Sequence, residues 1–267
     1  MPDIAAIDAH AHVGRHTGPE REFVHEWYSG EATDVLRRAD AARTRRTAVS
    51  TYLAVLRGPA ENVLEGNRLG AELAARREGL LLWAVVNPRD PRTFEQADEL
   101  LASPKCVGVK IHPETHDYTL AGFGDALFAF AAERKALILT HSGDRRSAPE
   151  DFIPYADAYP EARLILAHLG DSADGDPTRQ VRAIQAARQG NVLTDTSGLA
   201  SMRSGLLEWA VREIGPERIL YATDSPCYFA PAQRARIDHA EIDDDARRLI
   251  LHDNAAGLLG LAGEENP

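Results

Sequence analysis

The chain has 267 residues, 44% of them apolar, enough for a sizeable core, and its 41 acidic against 30 basic residues leave a formal charge of −11. That charge repels duplex nucleic acid and anionic membrane surfaces, two cysteines make no disulfide framework, and no apolar run reaches the length of a membrane span. The opening MPDIAAIDAHAH has no basic segment and no long apolar run, so a signal peptide is not expected and the cytoplasm is the expected location.

In chain order, IAAID (residues 4–8) reads as a first strand, followed by a long irregular stretch over residues 14–30. TAVSTYLAV (47–55) reads as the second strand, and the helical pattern after it carries Val63, Leu64, Leu69 and Leu73 on one face. LLLWAVV (80–86) and CVGVKI (106–111) read as the third and fourth strands, with GDALFAFAAERKA as the helix after the fourth. ALILT (136–140) and RLILA (163–167) follow, and then a helix with Asp176 as its cap, Pro177 at its first position and Gly190 past its end. NVLTD (191–195), the helix LLEWAVREIG, the eighth strand RILYAT (218–223) and a terminal helix DDDARRLILHDNAAGLLGL, acidic in its first turn, complete the chain.

The strand runs are nearly continuous in apolar character, the pattern of parallel strands buried on both faces. Eight strand–helix units in this length most simply close into a (β/α)8 TIM barrel, spanning 1–267 as one domain. An open doubly wound sheet is the alternative.

Polar residues gather where these strands end. Asp8-Ala9-His10-Ala11-His12 follows the first strand, and side chains two apart on extended chain point the same way. The fifth strand runs into His141, the sixth into His168 and the eighth into Asp224. One histidine at a strand end is readily a structural group, but four such ends converging on one barrel mouth call for a common partner, and a divalent cation supplies one.

IDAHAHVG, GVKIHP, LTHSGD, LAHLGD, TDTSG, RILYATDSP and NAAGLLGL together resemble the amidohydrolase-related family of the amidohydrolase superfamily, over most of the chain. The resemblance implies that His10, His12, His141 and Asp224 bind one divalent metal, zinc first, with manganese or iron as alternatives, and that His168 acts beside it as a general acid/base. Asp224 can both ligate and accept a proton, and is the second catalytic candidate. The activity implied is hydrolysis of a small carboxylate-bearing ester, lactone or amide by metal-activated water. The alternative is non-oxidative decarboxylation of an aromatic or unsaturated acid, disfavoured by the shortness of the chain. A catalytically inactive binding relative is the third reading. The partner is a small molecule; a monomer and a homo-oligomer are both compatible with the sequence.

Four further residues are candidates for substrate contact. Lys110 could hold a substrate carboxylate, be carboxylated and bridge two metals, or pair structurally with a neighbouring acid. His112, two residues on, and His116 face either the pocket or solvent. Ser197 could donate to substrate or cap the next helix. Phe23, Trp27 and Tyr28 read as rim packing, with an apolar lid as the alternative, Arg43, Arg45 and Arg46 as a solvated face, and Cys227, Tyr228 and Phe229 as pocket-shaping.

Overall fold

Eight parallel strands follow one another in the computed structural model in chain order, each hydrogen-bonded to the next: β1 (Ala6–Val13), β2 (Thr44–Thr51), β3 (Leu80–Val85), β4 (Cys106–Ile111), β5 (Leu137–Thr140), β6 (Arg163–Leu166), β7 (Val192–Asp195) and β8 (Ile219–Leu220). The structure describes residues 4–18 and 20–261. The seam is closed by backbone bonds from β1 to the chain just past β8: Ala9 N–H donates to Tyr221 O at 3.0 Å, Asp224 N–H to His10 O at 2.8 Å, and His12 N–H to Ser225 O at 2.6 Å. This is the (β/α)8 TIM barrel, and the open-sheet alternative falls.

Both faces of the strands are buried, as continuous apolar runs require. Leu137 and Leu139 point into the barrel with Trp83 and Ile165, while Ile138 faces outward onto the helix Leu120–Arg134 with Val109, Ile111 and Phe128. Ala255, Ala256 and Leu259 of the terminal segment join the inner cluster, covering the end where the strands begin. The opposite end is left for polar groups.

Several boundaries move. β1 runs on to Val13, so His10 and His12 lie inside the strand rather than after it. β2 stops at Thr51, whose hydroxyl accepts from Ala54 N–H at 3.2 Å and caps the short helix Tyr52–Val55. The helix Glu61–Arg76 turns a different face inward than expected: Gly66, Asn67, Gly70 and Ala74 are buried with Val63, while Leu69 is exposed. A Cβ at Gly66 would stand 2.6 Å from Ala54 N and Thr51 Oγ1, so glycine lets this helix approach the end of β2. The helix expected at Pro177 begins at Arg179, because Asp176 Oδ1 takes Thr178 N–H and its hydroxyl in a turn before the helix. Beyond β8, of the expected strand residues, Tyr221 O and Thr223 N–H bond across to β1, while the backbone of Ala222 bonds the Thr196 hydroxyl just past β7 in place of a ladder.

The arginine cluster is a solvated face in part, with Arg43 and Arg45 exposed. Arg46 is buried and pairs with Glu78 at 3.3 Å, and Arg43 pairs with Asp238 at 2.5 Å. In the first loop the helix Glu22–Tyr28 buries none of its residues; Phe23 and Trp27 are 55% and 64% exposed, so the expected rim packing is absent.

Candidate active site

His10 and His12 alternate along β1 and point toward the mouth, the direction set by the two-residue period of extended chain, whereas a register shift between Asp8 and Ala11 separates them from Asp8, whose neighbours Ile7 and Ala9 face the inner core. Asp224 reaches the same place from the segment after β8, and its Oδ1 lies 3.0 Å from His12 Nε2 and 3.7 Å from His10 Nε2. His168 follows β6. Both His168 and Asp224 leave their strands in the left-handed region, at φ 68° and 54°, which costs energy in a residue other than glycine.

Each imidazole is oriented by a partner on its far nitrogen. His10 Nδ1–H donates to Asp195 Oδ2 at 3.0 Å, leaving the Nε2 lone pair turned into the mouth. His12 Nδ1 bonds the Ser50 hydroxyl at 3.0 Å, so its Nε2 faces Asp224. Asp195 Oδ1 accepts from the backbone N–H groups of His168 and Ser197 and from the Ser197 hydroxyl. This fully buried carboxylate at the end of β7 therefore organises the site, yet the sequence reading passed over it for Ser197. The available signal was an acidic residue at the C-terminal end of a barrel strand, the same signal that pointed to Asp224.

Ser197 is buried and does not reach the cavity. Its hydroxyl sits 2.8 Å from His168 Nδ1 and 3.2 Å from His10 Nδ1, so it orients two imidazoles and caps no helix. His141 lines the cavity, with Nδ1 3.1 Å from His168 Nε2 and Nε2 2.8 Å from Asp144. Its nitrogens thus lie outside the group formed by His10, His12 and Asp224. His112 stacks on His141, with centroids 4.2 Å apart and planes 7° from parallel, and its Nδ1 is buried without a partner. His116 faces neither pocket nor solvent: it is buried, and its Nε2–H donates to Ala54 O at 3.0 Å.

Lys110 points into the mouth from β4, fully buried, and its Nζ donates to His10 Nε2 at 2.9 Å. No carboxylate among the described residues forms an ion pair with it, which removes the structural-pair reading. Burial pushes its pKa down to about 8. Burial likewise lowers His10 to about 4 and His168 to about 3, so both imidazoles are neutral at pH 7. Burial works against the Asp224 carboxylate, but the His12 hydrogen bond and the surrounding imidazoles outweigh it and hold Asp224 well below the usual carboxylate range.

The cavity over these groups measures ≈ 150 Å³, with Tyr52, Cys227 and Tyr228 in its walls; Phe229 points away, 63% exposed. A larger hollow of ≈ 460 Å³ beside the first loop is lined by Leu53, Leu56, Leu69 and Leu73 and contains no imidazole. Donor atoms of His10, His12 and Asp224 all lie within 4.8 Å of one another. Neutral imidazole nitrogens and an ionised carboxylate fit a divalent cation. His10, His168 and Asp195 are equally close, but there the carboxylate is occupied by hydrogen bonds.

The sequence model of the family described as Amidohydrolase matches residues 7–261. No curated protein matches the chain significantly. Among solved structures, 2,6-dihydroxybenzoate decarboxylase complexed with 2,6-dihydroxybenzoate superposes with a TM-score of 0.78 at 16% identity, over 97% of this chain and 100% of that one. A dihydroxybenzoic acid decarboxylase from Polaromonas sp. JS666 with bound manganese and the inhibitor 2-nitroresorcinol gives 0.76 at 16% identity, over 98% and 99%. A putative amidohydrolase from Staphylococcus aureus gives 0.70 at 18%, over 96% and 99%. At these identities the likeness establishes the fold. It also removes the argument from length, since this chain spans those decarboxylases almost end to end.

Proposed function

The chain belongs to the amidohydrolase family, and from that premise we propose that it is a divalent-metal-dependent decarboxylase of a small aromatic or unsaturated carboxylic acid. The observation that carries this reading is the cavity: ≈ 150 Å³, walled by the flat His112–His141 stack and Tyr52, with Lys110 and the His10–His12–Asp224 group among its lining and supporting residues. A cavity of about that volume takes a single benzene ring. The decarboxylases named among the structural neighbours support the same reaction type. Hydrolysis of an ester, lactone or amide was the first expectation from sequence, and it now stands second.

His10, His12 and Asp224 would hold the cation, with His141 joining them once its ring turns from His168. Their donor types suit manganese as well as zinc, and the Polaromonas neighbour carries manganese. The bound cation would anchor the substrate's anionic oxygens and stabilise negative charge developing in the substrate. Lys110 places a positive charge beside the same oxygens. The His112 and Tyr52 rings wall the space that receives the planar ring. As the bond to the carboxyl carbon breaks, its electron pair stays on the ring carbon and takes a proton, and carbon dioxide leaves. His168, neutral and held at Nδ1 by Ser197, lines the cavity and would relay that proton from solvent, taking one up at Nε2 as it is passed on to the ring carbon.

The test is to incubate manganese- or zinc-loaded protein with hydroxybenzoates and other unsaturated acids, and in parallel with esters, lactones and amides, following carbon dioxide and proton release. Metal-dependent carbon dioxide with an equivalent of decarboxylated product is expected. Metal-dependent ester, lactone or amide cleavage, with no carbon dioxide from any acid, would return the reading to hydrolysis.

A further inference from the structure

We propose that His16, Glu20 and His25 form a second divalent-cation site, separate from the one in the barrel mouth, which anchors the first loop to the end of β1. Their donor atoms lie within 4.8 Å of one another, with His16 Nδ1 3.8 Å from Glu20 Oε2. In a tetrahedral zinc site with bonds of about 2.0–2.1 Å, neighbouring donors stand about 3.4 Å apart, so small side-chain movements complete the set. Two imidazoles and one carboxylate are a donor combination zinc accepts, leaving a fourth position for solvent.

The protonation states suit ligation. Gly18 N–H donates to His16 Nδ1 at 3.2 Å, so that nitrogen is unprotonated, and it would exchange this bond for the metal. His16 is buried, with the edges of Tyr28 and Tyr52 against its ring, whereas Glu20 is exposed and offers an ion a route in. The chain is wound closely here: a Cβ at Gly18 would collide with the Glu20 carboxylate and the His16 ring.

A second observation points the same way. The helix Glu22–Tyr28, which carries His25, is seven residues long, has no side-chain cap and buries none of its residues. A helix that short is marginal without packing, and its packing is only partial, with half-buried His25 and Tyr28 against the His16 ring. A cation shared by His16 and His25 would add to the hydrogen bonds that already join the helix to the segment after β1, His25 Nε2–H to Gly18 O at 3.0 Å and His16 N–H to Ser29 Oγ at 2.8 Å.

The site is distinct from the mouth. Tyr52 lies between them, stacked on His12 at 4.9 Å and edge-on to His16 at 5.0 Å. His16 also lines the active-site cavity, so the two sites adjoin through it and Tyr52, while Glu20, His25 and Gly18 lie outside that lining.

Equilibrium dialysis of the full-length chain against micromolar zinc chloride, followed by elemental analysis, tests this without any assay of activity. Wild type should retain two equivalents, while His25→Ala and Glu20→Gln should each lose one and keep the other. Circular dichroism of both variants checks that the barrel is intact, and Glu20→Gln, at an exposed position, is the variant least able to disturb it. Equal zinc content in wild type and both variants would overturn the proposal. Asp224→Asn separates the two sites: it should lose the mouth ion and keep the rim ion. If it loses nothing while His25→Ala loses one, the mouth assignment fails and the rim site stands.

Discussion

Asp224 carries two demands on one side chain. Its Oδ1 is 3.0 Å from His12 Nε2, and its backbone is held in the left-handed region by an N–H bond to His10 O. Nearby imidazoles keep it ionised, and a cation would reinforce that. Asp224→Asn preserves size and hydrogen-bonding shape while removing the charge. The expected outcome is a folded protein that binds metal more weakly and loses nearly all turnover even at saturating metal. Near wild-type turnover at saturating metal would remove Asp224 from the mechanism and leave it a loop-positioning group. Asp195 acts differently, through the rings it holds, since its oxygens are taken up by His10, His168 and Ser197.

Elements meet the site through short polar links. The segment after β4, Pro113–His116, is tied to the turn after β2 by Thr115 Oγ1 to Val55 O at 2.5 Å and by His116 Nε2 to Ala54 O. That turn carries Tyr52, the ring stacked on His12, so β4 and β2 are braced at the cavity wall. Burial lowers His116 to about 4 from an ordinary 6.5. The unfolded chain therefore binds this proton first as pH falls, and stability is lost between 6.5 and 4. From pH 7 to pH 5 the loss attributable to His116 is about 2 kcal/mol. His116→Gln can still donate to Ala54 O but does not titrate, so urea midpoints for the variant should fall less steeply over that range. Parallel pH dependences for the two proteins would show that His116 is not the group responsible.

For the whole molecule the critical feature is the seam between β1 and the chain past β8. Thr223 Oγ1 donates to Asp8 Oδ2 at 2.6 Å and Thr223 N–H to Asp8 Oδ1 at 3.0 Å, so a buried carboxyl on β1 closes the barrel across 215 positions of chain. Burial raises Asp8 to about 7, a cost its hydrogen bonds only partly offset. Thr223→Val keeps the branching and removes the hydroxyl, leaving Asp8 short of a donor. A loss of about 1–3 kcal/mol in unfolding free energy is expected. Stability unchanged to within about 0.5 kcal/mol would show that the backbone bonds alone close the seam. The same closure brings Asp224 beside His10 and His12, so barrel integrity and metal binding should fail together.

The eight strands and their polar ends were legible in the sequence, because buried parallel strands are continuous apolar runs and their ends are where chemistry concentrates. His10, His12, His168 and Asp224 were found that way, and so were the barrel and the family resemblance. Asp195 was not weighed, because a carboxylate acting only by orienting other side chains has no spacing of its own to read. Nor could spacing show that Ser197 turns inward to His168, that His116 faces Ala54 rather than the cavity, or that Gly66 and Gly70 are the buried face of their helix. Local pattern decides which residues are strand, helix or turn, since periodicity and caps act within a few positions. Which side chain meets which across the mouth depends on strand register, barrel closure and the left-handed turns at His168 and Asp224, and those arise only when all eight strands are in place.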